Sequence, residues 1–506
     1  MKRSTLLFPF VTFFVLAMLS ACGPSPSPTS APSAPTLAPT SLPSTLTPTP
    51  REETIVVPTA AFSGSGIPYV GVDVILQEGN SLPTFQLLTR PSIELADNRI
   101  GLAYAGAGLV FDLPNLPAIF ENLTDSGLKV IHSSMYEIEP PIDWSNDEYV
   151  VPPEFDQFVD DLNKNGVAFN FVLSFWDKAG HDGGEELLGP RFTTEEQIQD
   201  FLDYAHFVVG HFKDRVQYFT IWNEPDNCGG SGTNCIRPTD YIALARRLIP
   251  VIRQADPQVK VAIAPNVLYF GREKLFAILE SDVMPLFDVV QWHGLYDVLP
   301  DDAFYEDYYY EYPTLIEDIK RTAAANGFSG EYWATEVTWC SETFPNCKPG
   351  DQPWGQAETD IQAAKYYSRG IVMHLGVDVG ISLGGFQTPA RWSFPAIRNL
   401  STVMAGAAPI SMTVIIVGDN ENILSYAFAL PNGDKLFALW TNGVAVNADP
   451  GVSTTLTFAD QSAQQVIAID TLYGFEQELV TETEDGNLVI RDLQVMDYPT
   501  IIRLVD

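Results

Sequence analysis

Short, almost wholly apolar runs alternate with amphipathic stretches through the middle of the chain. Arg99–Tyr104, Leu128–His132, Val167–Ser174, Val216–Asn223, Lys260–Ala264, Phe287–His293, Glu331–Glu336 and Val377–Leu383 read as eight strands. Near-continuous apolarity is the pattern of parallel strands buried on both faces. Between them lie segments with the helical period and one apolar face, among them Thr194–Phe212, Pro238–Ala255, Pro313–Asn326 and Ala357–Leu375. Eight strand–helix units in roughly 300 residues predict a (β/α)8 barrel, the TIM-barrel architecture, over residues 97–400. A doubly wound sheet would call for a switch-point site such as a phosphate-cradling glycine loop, and no G-x-G-x-x-G follows a predicted strand.

After residue 400 the period shortens. Met412–Val417, Leu424–Leu430, Lys435–Thr441, Thr454–Phe458, Gln465–Asp470, Leu488–Asp492 and Thr500–Leu504 read as strands separated by turns, with Pro431-Asn432-Gly433-Asp434 as a hairpin turn. This predicts an antiparallel β-sandwich over residues 401–506. Residues 61–96 form an N-terminal extension, in which Tyr69–Leu76 alternates like a strand that pairs with the sandwich or caps the barrel floor.

The first 60 residues read as an address and a tether. Lys2 and Arg3 precede an apolar run from Leu6 to Leu19, broken by Pro9 and Thr12. The run is too short to cross a bilayer core about 30 Å thick comfortably and fits a signal peptide over residues 1–21. Leu19-Ser20-Ala21-Cys22 resembles the lipobox of bacterial lipoproteins, which implies cleavage before Cys22, a lipid on that cysteine and an extracytoplasmic, membrane-anchored protein. Residues 22–60 are a tether rich in proline, serine and threonine, with too little apolar surface to fold.

Composition narrows the chemistry. The chain of 506 residues has 64 acidic and 28 basic side chains, a formal charge of −36. That balance disfavours nucleic acid, whose phosphates need a surplus of Lys and Arg, and polybasic docking on anionic lipid. Four of the five cysteines flank two candidate loops, Cys228 with Cys235 and Cys340 with Cys347. An exported chain permits disulfides, and each pair would close a short loop. The competing zinc reading needs closer spacing, typically C-x₂₋₄-C.

Each of those loops follows a glutamate at a strand end. The fourth strand runs into Ile221-Trp222-Asn223-Glu224-Pro225, and the seventh into Trp333-Ala334-Thr335-Glu336-Val337-Thr338-Trp339. In a barrel the C-terminal strand ends ring the active site, so both carboxylates belong to one mouth. A carboxylate pair is what glycosidic-bond hydrolysis requires: one neutral acid for the leaving oxygen and one ionised group for the anomeric carbon or its water.

Asn223-Glu224-Pro225 resembles the N-E-P signature of the clan A retaining glycoside hydrolases, and the whole pattern resembles the family 39-like β-glycosidases, which also carry a C-terminal sandwich. The resemblance implies that Glu224 is the acid/base and Glu336 the nucleophile of a double displacement on a β-linked carbohydrate, with no cofactor and no metal. It implies that Asn223 bonds the sugar 2-hydroxyl and that His293 and Tyr296 contact substrate and nucleophile, although the spacing here is H-G-L-Y where the clan has H-x-Y. Many clan members carry an arginine late in the second strand, where this chain has His132. Where the clan often ends its eighth strand in tryptophan, Phe386 or Trp392 is the substitute here. Trp176, Trp292 and Trp339 end or follow strands and are candidate sugar-stacking walls, with core packing as the other reading of each. The tyrosine-rich stretch Tyr305–Tyr312 shapes the rim or begins a solvated helix. The rival reading is a carbohydrate-binding surface lipoprotein that has the barrel and lacks turnover.

Overall fold

The structure is a computed structural model describing residues 65–71, 74–103, 121, 123–134, 149–151, 153–173, 191–226, 235–301, 305–339, 341, 359–384, 391–418 and 422–505. The expected signal peptide, Cys22 and the whole tether lie outside these residues. Thr59–Asp506 forms one compact unit. Among the described residues no helix is long and apolar enough to cross a membrane.

The first strand, β1 (Thr84–Gln86), is followed by eight parallel strands that close a barrel in sequence order. These are β2 (Ile100–Ala103), β3 (Val130–Ser134), β4 (Ala168–Leu173), β5 (Tyr218–Ile221), β6 (Lys260–Ala262), β7 (Val289–His293), β8 (Glu331–Thr338) and β9 (Gly380–Gly384). Each falls on one of the eight apolar runs, because strands covered by helices outside and by one another inside have no polar face to show. The described helices are α1 (Pro153–Lys164), α2 (Glu195–His211), α3 (Pro238–Ala255), α4 (Leu268–Leu279), α5 (Glu306–Ala325), α6 (Asp360–Gly376) and α7 (Ser393–Val403). Helix α5 starts seven residues before Pro313, its expected first residue, so the tyrosine-rich stretch is the start of a helix.

Ten further strands complete the second half: β10 (Ala408–Ile410), β11 (Val414–Gly418), β12 (Ile423–Ala429), β13 (Lys435–Thr441), β14 (Val452–Phe458), β15 (Gln465–Asp470), β16 (Phe475–Glu478), β17 (Glu482–Glu484), β18 (Asn487–Val495) and β19 (Thr500–Val505). They build an antiparallel sheet in the order β1-β16-β15-β19-β13-β12-β10 and a second in the order β11-β14-β18-β17. The two sheets pack across a core containing Phe437, Phe458, Leu488 and Ile502. Gly433 turns the β12–β13 hairpin at φ +98°, open to glycine without strain.

Strand β1 joins the sandwich through Phe475–Glu478, and Gln77 bridges Leu493. Among the described residues of Tyr69–Leu76 none belongs to a strand. That stretch meets the sandwich through Tyr69 on Phe475 at 4.7 Å, the buried Leu76 and isolated backbone hydrogen bonds, Tyr69 N–H to Thr84 and Gln494 N–H to Leu76.

Helix α6 is buried on nearly every side, although its sequence reads as amphipathic. Its apolar face covers the barrel, and the sandwich covers the rest. Lys365 lies 2.6 Å from Asp497 Oδ1, and the Arg369 guanidinium donates to the Asp497 carbonyl oxygen at 2.7 Å. A capping box of Thr359 and Gln362 starts this helix.

Candidate active site

Strand alternation sends successive side chains to opposite faces. On β7 it puts Gln291 and His293 inside the barrel. Gln291 donates to Thr220 Oγ1 at 2.7 Å, Thr220 donates to Asn170 Oδ1 at 2.7 Å, and Asn170 donates back to Gln291 Oε1 at 3.2 Å. This closed triangle from β4, β5 and β7 is a polar layer in the barrel interior that the apolar reading of the strands missed.

One step toward the mouth, His293 stands between the two glutamates. Its Nδ1 is 3.0 Å from Glu224 Oε1 and 3.2 Å from Glu336 Oε2. The imidazole has no solvent exposure, Glu336 retains 7 % and Glu224 17 %. The structure therefore brings together the two carboxylates and the histidine picked from sequence.

Local backbone geometry aims the two acids. The pairing of β8 with β9 slips between Ala334 and Val337, so Thr335 and Glu336 sit at an irregularity, and Glu336 has φ +55°. A bulge re-aims a side chain that regular alternation would fix. After β5, Trp222 and Glu224 adopt φ +73° and +42°, and the Glu224 N–H donates to the Pro265 carbonyl at 3.1 Å. Left-handed backbone at non-glycine residues costs of order 1 kcal/mol or more each and gathers where function holds it in place.

His132, at the end of β3, faces His293 edge-on, with ring centroids 6.4 Å apart and planes at 89°. Burial, together with the neighbouring His293, lowers its pKa to about 3, so its imidazole is neutral across the ordinary pH range. Tyr296 continues the β7 side of the mouth through a bridge to Thr338. Burial raises its phenol well above the usual range, and the charges of Glu336 and then Glu224 push the same way, which places it beside both acids. Asn223 is half-buried, with its Oδ1 lacking a hydrogen-bond partner.

Two residues at this mouth escaped the sequence reading. Asp226, two positions beyond Glu224, is buried; its Oδ2 accepts the Val267 N–H at 2.9 Å before α4, and its Oδ1 is unpartnered. Burial, reinforced by the Glu224 charge, raises its pKa to about 7 against the lowering pull of backbone hydrogen bonds. Gly271 makes the room: a Cβ there would stand 1.5 Å from Asp226 Oδ2. Tyr269, whose phenol is raised by burial, Tyr305 and then Glu224, meets Phe270 edge-on at 5.0 Å and Tyr305 at a tilt at 5.1 Å. The signal available was, for Asp226, its place just after a strand end; Tyr269, inside α4, had none.

Two expected sugar walls are corrected. Trp292 is fully buried and its indole N–H donates to the Tyr312 hydroxyl at 2.8 Å. Alternation on β7 turns it outward, away from His293 and into the helix layer. Trp339 is 1 % exposed, stacks on Tyr366 and donates to the Val298 carbonyl at 3.1 Å. Both indoles are core. Trp392 packs against Tyr473 of the sandwich at 5.3 Å. Trp176, Phe386, Cys228, Cys340 and Cys347 lie outside the described residues. Cys235 is disulfide-bonded.

No protein-family model matches the chain. Solved structures share its fold. A family 39 glycoside hydrolase from Bacteroides cellulosilyticus WH2 aligns at 16 % identity over 84 % of each chain, with a TM-score of 0.58. The catalytic domain of a GH30 xylanase C from Talaromyces cellulolyticus aligns at 12 % identity over 83 % of this chain and 99 % of its own, with a TM-score of 0.50. A glucosidase from Croceicoccus marinus aligns at 12 % identity over 82 % of this chain and 98 % of its own, also at 0.50. At such identities the likeness is one of architecture: a closed (β/α)8 barrel followed by a β-sandwich.

Proposed function

We propose that the protein is a retaining glycoside hydrolase acting on a carbohydrate substrate, held at the extracytoplasmic face of a membrane through a lipid on Cys22. The observation that carries the reading is the shared contact of both carboxylates with one nitrogen. Glu224 Oε1 and Glu336 Oε2 lie 3.0 Å and 3.2 Å from His293 Nδ1. The two oxygens are therefore no farther apart than the sum of those distances. That limit lies below the ~6.5–9.5 Å carboxyl separation that leaves room for an inverting water. The fold shared with a family 39 glycoside hydrolase and a xylanase supports the same reading.

In this mechanism Glu336 attacks the anomeric carbon while protonated Glu224 gives its proton to the leaving oxygen. The resulting glycosyl ester on Glu336 is then cleaved by water that Glu224, now ionised, deprotonates. His293 fits both half-reactions. Its Nδ1–H donates to ionised Glu336 before attack and to ionised Glu224 once Glu336 is esterified, so one donor follows the negative charge. Tyr296 and Asn223 take substrate-facing positions, and short loops closed by Cys228–Cys235 and Cys340–Cys347 stiffen the rim beside each acid.

The test is to incubate the protein with a panel of activated 2-deoxy-2-fluoro glycosides and map the adduct by mass spectrometry. A single label on Glu336 is expected. A label on another residue overturns the assignment, and product of inverted configuration overturns retention.

A further inference from the structure

We infer that His132, His293 and Glu336 together form a binding site for one divalent cation of the zinc type. The three residues come from the ends of β3, β7 and β8. Each offers a ligand atom, these atoms all lie within 4.8 Å of one another, and all three side chains are buried.

His132 carries the argument. It is 2 % exposed, and neither of its ring nitrogens has a hydrogen-bond partner. A neutral imidazole always has one N–H and one lone pair, and burying such groups unpaired costs about 1–3 kcal/mol each. Histidines retained only for packing find partners, as His374 does here: its Nδ1 meets the Gly370 carbonyl at 2.7 Å and its Nε2 the Tyr312 hydroxyl at 2.9 Å. His293 supplies the second, independent observation. Its Nδ1 already lies 3.2 Å from Glu336 Oε2, close to the spacing of two ligands on one ion, and a cation there would replace the proton on that nitrogen.

Two imidazoles and a carboxylate form one of the recurrent three-ligand zinc sets, with room for a water or a sugar hydroxyl at the fourth position. Zinc–ligand bonds of ~2.0–2.2 Å require ligand atoms about 3.4 Å apart, so the widest pair must close by up to about 1.4 Å, within reach of side-chain rotation. Nitrogen donors favour zinc, nickel or copper over magnesium or calcium, which prefer oxygen. Bound there, the ion occupies the carboxylate that the proposed function uses as its nucleophile, so it excludes the glycoside; this consequence alone rests on that function.

The experiment is calorimetric titration of zinc chloride into chelator-stripped full-length protein, repeated for His132→Gln and His132→Arg, with thermal unfolding to verify that each variant is folded. One zinc per chain is expected, with affinity reduced about a hundredfold in His132→Gln and abolished in His132→Arg, whose guanidinium repels the ion. Zinc should raise the melting temperature of the parent protein and not that of the folded variants, and calcium should not compete. Absence of binding at millimolar zinc overturns the inference, as does equal affinity in the parent and His132→Gln, which would place the ion on surface carboxylates. Zinc binding without fluoroglycoside labelling would sink the proposed function and leave this site standing. Labelling without zinc binding would do the reverse.

Discussion

Two of the places where the molecule buries polar groups are built in opposite ways. Where α6 meets the sandwich, the cations are matched. Lys365 is paired with Asp497 at 2.6 Å, and Arg369 donates to the carbonyl oxygens of Asp497 and Gly443. At the barrel mouth His132, the Nε2 of His293, Asn223 Oδ1 and Asp226 Oδ1 have no hydrogen-bond partner. The charged groups of the seam are completed by the protein, whereas the mouth gathers several groups that a ligand could complete, more closely clustered than the unpartnered Trp440 Nε1 and Thr471 Oγ1 elsewhere. The contrast predicts that changes at the mouth remove activity and leave stability, and that changes at the α6 seam remove stability and leave activity.

The largest expected effect tests the mouth. Glu336→Gln should lower kcat/KM about ten-thousandfold, of order 5 kcal/mol of transition-state stabilisation. Its melting temperature should not fall, because the substitution removes a buried charge from a strained position at φ +55°. A large drop in melting temperature, measured by calorimetry, would mean that the mouth is structural after all.

The seam gives the next effect. Lys365→Ala leaves Asp497 buried and without its cation, and breaking such a pair costs about 3–5 kcal/mol. Denaturant unfolding should show that loss while kcat per folded molecule stays at the parental value. The seam is also tied mechanically to the site. The Tyr367 hydroxyl on α6 accepts the Trp339 N–H at 3.1 Å and donates to the Gly384 carbonyl, linking the exits of β8 and β9. If Lys365→Ala also lowers kcat per folded molecule, α6 positions Glu336 and the two regions are less separate than the hydrogen bonds suggest.

Much of this arrangement was legible before the structure. The eight barrel strands were readable because a doubly covered strand has one signature along its whole length. Glu224 and Glu336 were readable because a strand end fixes its own place on the barrel rim. Four short sandwich strands were not. Glu482–Glu484, for example, is exposed throughout and its glutamates bind Arg491 of the neighbouring strand, so no apolar alternation marks it. The period of two already separates Trp292 from His293, and applying it along β7 would have assigned that indole to the helix layer. Trp339 was harder, because the irregularity around Glu336 resets the alternation before the chain reaches it. The unpartnered surroundings of His132 belong to no stretch of sequence. They arise only when three strand ends converge.

Asp226 sits on the boundary of the comparison and gives the smallest effect. It has one oxygen satisfied, as at the seam, and one bare, as at the mouth. Its carboxyl titrates at about 7 instead of the ordinary 3.8, with burial as the largest cause and the Glu224 charge adding to it. The native protein therefore holds this proton through a range in which the unfolded chain has released it. Stability falls as pH rises from about 4 to about 7 and stays lowered above that, by an amount of order 2–4 kcal/mol. Asp226→Asn retains an oxygen for the Val267 N–H and cannot ionise. It should be more stable than the parent above pH 7, equal to it near pH 4, and free of this part of the slope between, as measured by denaturant unfolding across that range. Because Asp226 also raises the negative potential at Glu224, its loss should shift the pH–rate profile of any glycosidase activity toward lower pH. If the stability gain appears without that shift, Asp226 is a buried polar group of the structural kind. If both appear, the residue belongs to the acid/base machinery, and the instability it causes accompanies the tuning of Glu224.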